Sequence, residues 1–289
     1  MEPTLTTSVL LPAALATIMI ALGLELTPAD FRRVARQPRG VLIGLLNLVV
    51  VSPALAFAIA TLFELPPALA VGLVLLGASP GGTMANVLTH LARGDTALSL
   101  TMTAISSVAA AITVPAYLEL ASDHFEAAAL VGDLEMGSIV ARVLLLTIVP
   151  VAVGMALRRR WPARVAAARP LIGRLAAGLF LLVVVGAVAS EHDVVIEHAG
   201  AILGAVVALN VAALAVSFAV SKLARLDDRQ ATAIALELGI HNATLAIAVG
   251  SALATELSVP AAAYGAIMFL SGGLFARAMH RRNAPRPAA

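Results

Sequence analysis

The sequence predicts an all-α membrane protein that crosses the bilayer nine times, and three observations carry that prediction. Of 289 residues, 60% are hydrophobic and only 12% charged, with a mean hydropathy of +0.97. Soluble domains carry about 25% charged residues. The apolar residues gather into nine runs of the length needed to cross a hydrocarbon core, about 20 residues for about 30 Å. Every Lys and Arg but one falls in alternate connections between those runs. No run alternates with period two, so helices are expected and not a barrel. This composition disfavours secreted disulfide scaffolds, nucleic-acid binders and soluble dinucleotide enzymes. With no cysteine, disulfides, thiolate metal sites and a cysteine nucleophile are excluded together.

The first run, 5–25, has no basic segment ahead of it and is followed by Leu26-Thr27-Pro28. It therefore reads as a retained helix and not a signal peptide. The others are 39–62, 67–91, 95–118, 136–157, 170–190, 198–221, 229–254 and 258–279. One set of connections holds Arg32, Arg33, Arg36 and Arg39; Arg93; Arg158, Arg159, Arg160, Arg164, Arg169 and Arg174; Lys222, Arg225 and Arg229; and Arg277, Arg281, Arg282 and Arg286. The opposite set holds acids such as Glu64, Glu119, Asp123, Glu191 and Glu256 and no Lys or Arg. By the positive-inside rule the N-terminus is outside and the C-terminus cytoplasmic, as expected for a multi-pass protein of the plasma (inner) membrane. The exception, Arg142, lies about six residues, or roughly 9 Å, into the fifth run. Snorkelling or pairing with the acidic outer loop accounts for it, with a place on a substrate path as the alternative. Residues 158–169 read as a basic cytoplasmic connection, either linker or surface helix, and 283–289 as a disordered tail.

Two runs are expected to be broken. In the third, Pro80, Gly81 and Gly82 fall in mid-run, where proline removes an amide donor and glycines weaken a helix. Irregular backbone at that depth is tolerated only inside protein or beside a cavity, and Pro80 is placed to open a second half-helix. A simple kink is the alternative. In the eighth, Glu237 is followed by Gly239, His241 and Asn242 with no basic residue within a turn. A carboxylate in a membrane span is a functional candidate whose partner is a cation or proton; a protonated, hydrogen-bonded acid is the structural alternative. The breaks, at about 77–86 and 237–242, lie five crossings apart. Gly94 follows Asn86 by eight residues, as Gly250 follows Asn242. An odd offset implies an inverted repeat: four helices over 5–118, five over 136–279, the first helix of the first repeat missing, together one transport unit over 1–289.

The fourth run places Ser99 and Thr103 at i,i+4 on one helical face. With Asn86 and Glu237 they offer amide, hydroxyl and carboxylate oxygens and one negative charge. That set suits sodium or a proton and no transition metal, although hydroxyls in apolar helices also bond back to their own backbone. His90, one turn past Asn86, is a candidate for the inner vestibule. His124, His192, His198 and His280 fall near the ends of runs.

At these residues the chain resembles the bile acid:sodium symporter family. The resemblance rests on Leu22-Gly23-Leu24-Glu25-Leu26-Thr27-Pro28-Ala29-Asp30-Phe31; on Ser79-Pro80-Gly81-Gly82-Thr83 through Asn86-Val87; on Ala97-Leu98-Ser99 with Met102-Thr103; and on Glu237-Leu238-Gly239-Ile240-His241-Asn242. It runs from about residue 15 to 275. It implies sodium-driven symport of a small organic anion by alternating access between a core and a panel domain. It further implies a first sodium site at Asn86, Ser99, Thr103 and Glu237, with Ala85 where the family has serine, and substrate contacts at Thr83 and Asn242. Met268 and Phe269 replace a polar pair of the last helix, against a bile-acid preference. The second sodium site would use Glu237, the carbonyls of Leu238 and Ile240, and glutamines at positions that here hold His241 and Leu48, with Asn47 turned away beside it. That site is expected to be weakened or lost, His241 carrying a proton or serving as a hydrogen-bonding spacer. Partners are then the anion and the lipid bilayer. A proton-coupled anion carrier using Glu237 and His241 is the first alternative. An arsenite-type permease would need a membrane cysteine, and an intramembrane enzyme built on Glu237 and His241 lacks any further hydrolytic motif.

Overall fold

The computed structural model describes residues 11–32, 35, 38–131 and 136–284, nearly all helical, with no strand among them. Residues 5–10, Arg33, Arg36, the tail beyond 284, and the side chains of Arg142 and Arg169 lie outside what is described.

The chain begins with α1 (Leu11–Glu25) and a single-turn α2 (Pro28–Arg32). The turn between them carries the back-reaching half of a capping box: Asp30 Oδ2 accepts from Thr27 N at 2.7 Å and from Thr27 Oγ1 at 2.6 Å. Next, α3 (Pro38–Leu46) passes through a π-helical turn at Asn47–Val51 into α4 (Ser52–Leu62), so Pro38–Leu62 is one long element. The widened turn lies beside Pro53, which cannot donate to the carbonyl of Val49 four residues earlier. Tyr117 Oη donates to that carbonyl instead, at 2.7 Å. Nothing in the apolar pattern of 39–62 announces this turn.

Then come α5 (Pro67–Gly77), α6 (Thr83–Leu91), α7 (Thr96–His124), α8 (Ala128–Val131), α9 (Met136–Arg160) and α10 (Pro162–Ser190). A short α11 (His192–Glu197) leads into α12 (Ala199–Leu223), α13 (Asp228–Gly239), α14 (Ala243–Ser251), a 3-10 turn at Thr255–Ser258 and α15 (Val259–Arg282). Among the described residues, five elements are long and apolar enough to cross a membrane: Pro38–Leu62, Thr96–His124, Pro170–Ser190, Ala199–Leu223 and Thr255–Arg282. The halves of the 67–91 and 228–251 segments are each too short: at 1.5 Å per residue, the 11 residues of α5 rise only about 16 Å. Only Trp161 separates the basic end of α9 from α10, so 158–169 is helix on either side of a sharp corner.

Packing sorts the helices into two groups facing each other. α4, α5, α6, α7, α12, α13, α14 and α15 interlock around the most deeply buried residues. α1 lies along α9 and both meet α10. The α1–α9 crossing is backbone on backbone: a Cβ on Gly154 would fall onto the carbonyl of Ile20 and lie 2.8 Å from the Cα of Gly23. Gly154→Leu is therefore expected to separate the pair and lower the thermal stability of the purified protein by at least the 1–3 kcal/mol typical of overpacking. An unchanged melting temperature would contradict this packing.

Candidate functional site

The two breaks meet. α5 ends at Gly77, the chain turns through Ser79 and Pro80, and helix resumes only at Thr83, with extended Gly82 preceding it. Pro80 thus stands three residues ahead of the new helix and not in its first turn. α13 ends at Gly239 and α14 begins after Asn242. Backbone polar groups freed in an apolar interior must find partners, and here each strand satisfies the other. Gly82 N donates to Ile240 O at 2.7 Å and Asn242 N to Pro80 O at 2.8 Å, an isolated antiparallel bridge pairing Gly81 with His241. The open end of α13 is closed from two sides: Asn210 Nδ2 of α12 and Tyr264 Oη of α15 donate to Gly239 O at 2.7 and 3.0 Å.

Glu237 lies fully buried in the last turn of α13, against Gly81. Around it the structure gathers Asn86 from α6 and Ser99 and Thr103 from α7. Ser99 Oγ is 2.8 Å from both Glu237 Oε2 and Asn86 Oδ1. Thr103 Oγ1 hydrogen-bonds Glu237 Oε1, lies 3.0 Å from the carbonyl of Ser99 and takes a contact from Asn86 Nδ2 at 3.3 Å. Each hydroxyl has one proton, yet Ser99 and Thr103 together face four acceptors: both carboxylate oxygens, Asn86 Oδ1 and the Ser99 carbonyl. No Lys or Arg pairs with Glu237 among the described residues. A buried cluster with more oxygen lone pairs than protons, around a carboxyl that no Lys or Arg pairs among the described residues, has the donor chemistry of a hard monovalent cation or a proton. Ala85, beside Asn86, adds no oxygen.

The neighbouring position is organised differently. His241 is buried with both ring nitrogens in hydrogen-bond range, Nδ1 3.2 Å from Ser79 O and Nε2 3.0 Å from Ser52 Oγ, whose single proton serves either Nε2 or Gly77 O, 2.8 Å away. The carbonyl of Ile240 is taken by Gly82 N. Leu48 and Leu238 pack in one apolar cluster. Asn47 is buried, its Nδ2 turned to Ile43 O at 2.7 Å and its Oδ1 without a hydrogen-bond partner among the described residues. Ser52 and Ser79 carry no signal beyond being serines in apolar runs, and what they do follows from contacts with His241 189 and 162 residues away in sequence, the second through the Ser79 carbonyl. Asn210 was open to detection as a lone amide within the long apolar run 198–221.

A cavity of about 530 Å³ lies between the two helix groups. Thr83, Asn242, Met268 and Phe269 all line it, as does Phe180 of α10, whose ring meets that of Phe269 edge-on at 5.5 Å between centroids. Asn242 spends its Oδ1 capping α14, accepting from Leu245 N at 3.1 Å. Its Nδ2 contacts Met19 Sδ of α1 at 3.7 Å. The first turns of α6 and α14 both open onto this space, and helix N-termini favour negative charge. His90 is exposed and lines neither this cavity nor a smaller one below it.

The profile of the Sodium Bile acid symporter family matches residues 12–198. A Bacillus subtilis (strain 168) protein described as an uncharacterized sodium-dependent transporter is 32% identical over 267 residues, covering 91% of this chain and 80% of its own. A probable chloroplastic sodium/metabolite cotransporter of rice (Oryza sativa subsp. japonica) is 30% identical over 96% of this chain and 65% of its own. The human ileal sodium/bile acid cotransporter is 27% identical over 82% and 68%.

Proposed function

Because this chain belongs to the sodium bile acid symporter family, whose members are sodium-coupled transporters and not enzymes, we propose that it carries a small organic anion into the cell together with sodium by alternating access. The observation that carries this reading is the excess of acceptor oxygens around Glu237 at the crossing of two unwound backbones. There Asn86, Ser99, Thr103 and Glu237 would hold the ion. Thr83, Asn242 and the amides opening α6 and α14 would hold the anion, over an apolar wall that includes Met268 and Phe269. The wall and the cavity size suit a small metabolite carboxylate, in keeping with the rice relative's description as a probable sodium/metabolite cotransporter.

In this reading the chain crosses the plasma membrane nine times, N-terminus outside and C-terminus cytoplasmic. Its two inverted repeats are 5–118 and 136–279, and the broken segments count as one crossing each. The interlocked group is the core, and α1, α9 and α10 form the panel that rocks against it. His241 takes the place of a second cation: with both nitrogens hydrogen-bonded it ties α4 to the first break, and the Ile240 carbonyl already accepts one bond, from Gly82 N. One sodium then couples to one turnover.

The test is sodium-gradient-driven uptake of a panel of radiolabelled small carboxylates into proteoliposomes. The sodium dependence of the transported member is expected to show a Hill coefficient of about one. Uptake driven equally well by a proton gradient without sodium would favour the proton-coupled alternative and overturn this reading.

A further inference from the structure

A second, smaller cavity of about 390 Å³ lies in the groove between the C-terminal parts of α6 and α15. Its wall is Leu88, Leu91 and Gly273, and its rim is Arg277, His280 and Arg281. The same two helices line the larger cavity at Thr83, Val87, Met268 and Phe269. From Phe269 to Arg277 is eight residues, or about 12 Å of helix, so the small cavity lies two turns beyond the large one, toward the basic ends of both helices.

Three features set its charge. Arg277 and Arg281 stand at i,i+4 on one face, an arrangement that repels without a counter-charge, and neither forms an ion pair among the described residues. The adjacent Arg282 is spent: it bonds Asp228 at 3.0 Å, which Lys222 also reaches at 2.6 Å. Those hydrogen bonds, Arg282's foremost, hold the Asp228 carboxyl below its ordinary range. His280 is fixed at the rim by Nδ1, which donates to Leu91 O at 2.6 Å. The nearby acid is thus consumed by one arginine and one lysine, and the two arginines facing the cavity keep their charge for a ligand.

We propose that this cavity is a second anion station, in which Arg277 and Arg281 hold the transported carboxylate on its way between the large cavity and the cytoplasm. The assignment rests on the functional reading above for direction and cargo. Clefts lined by one sign of charge raise the local concentration of the opposite ion by about 10-fold or more. An anion leaving the helix N-termini at Thr83 and Ala243 thereby meets a second cationic site before bulk water.

The absence of cysteine makes the test direct. Gly273 lines the cavity and nothing lies within 4 Å of a Cβ placed on it, so Gly273→Cys adds a lone thiol at the cavity wall without distortion. In inside-out vesicles of phosphatidylcholine, its rate with an anionic methanethiosulfonate (ethylsulfonate) is compared with that of a cationic one (ethyltrimethylammonium). Both rates are scaled to free cysteine. The scaled ratio is expected to favour the anion and to fall by about tenfold in Arg277→Gln/Arg281→Gln, while Arg159→Gln, an exposed arginine outside the cavity, leaves it unchanged. Acetate, pyruvate or succinate should slow the anionic reagent. A ratio indifferent to the double substitution overturns the proposal. So does slowing that appears only when phosphatidylglycerol is added to the vesicles, which would make the ligand a lipid headgroup. Labelling only in right-side-out vesicles would instead contradict the orientation, the charge ratio still judging the cavity.

Discussion

Glu237→Gln is expected to abolish the rise in melting temperature that sodium produces in the wild-type protein. A ligand at one hundred times its dissociation constant stabilises the state that binds it by about 2.7 kcal/mol, and this whole increment should vanish. The sign of the effect without sodium is the more telling part. Glu237 is buried, with no Lys or Arg paired to it among the described residues, and burying a carboxylate without a counter-charge is unfavourable. The glutamine variant should therefore match or exceed the wild type in potassium and fall below it in sodium. Thermal unfolding of both proteins in the two salts checks this. A variant less stable in both by the same amount would mean that the acid is a structural hydrogen-bond acceptor and nothing more.

Gly81→Ala should do comparable damage without touching a ligand. The added Cβ would fall on the carboxylate of Glu237, and the side chain has no direct retreat: Ser99 and Thr103 hold it on its other side. Either Glu237 leaves its hydroxyl partners or the Gly81–His241 bridge opens, which puts the hydrogen bonds Gly82 N to Ile240 O and Asn242 N to Pro80 O at risk. Overpacking of this kind costs about 1–3 kcal/mol before any bridge bond is lost. Sodium-dependent stabilisation and sodium-driven uptake should both be lost. Shortening the acid relieves the clash, so Gly81→Ala/Glu237→Asp should recover part of the stability missing from Gly81→Ala, giving a coupling energy in a double-mutant cycle. Additive losses would place Gly81 outside the site.

The site was legible where it violates the chemistry of its surroundings. Glu237 stands out as an acid in an apolar run, and Pro80-Gly81-Gly82 as breakers in another. Asn86, Ser99, Thr103 and Glu237, chosen from three separate runs, hydrogen-bond to one another. What was not legible depends on approach in space. Gly81 reads as a helix breaker, yet its lack of a side chain also makes room for Glu237. Ser52 and Tyr264 look like ordinary members of apolar helices, and only the crossing reveals that one holds His241 and the other closes α13. The π-helical turn at Asn47–Val51 leaves no trace in hydropathy, because a widened turn changes facing without changing composition. The apolar runs marked the elements well, but Pro80 was assigned to the wrong turn: its backbone is needed for the bridge to Asn242, which delays the new helix to Thr83.

The most direct test of the central claim is to count sodium ions on the purified protein by equilibrium binding of radioactive sodium, in the wild type and in Glu237→Gln. The account predicts one ion per chain in the first and none in the second. Two ions per chain, or one that persists without the carboxylate, would contradict it.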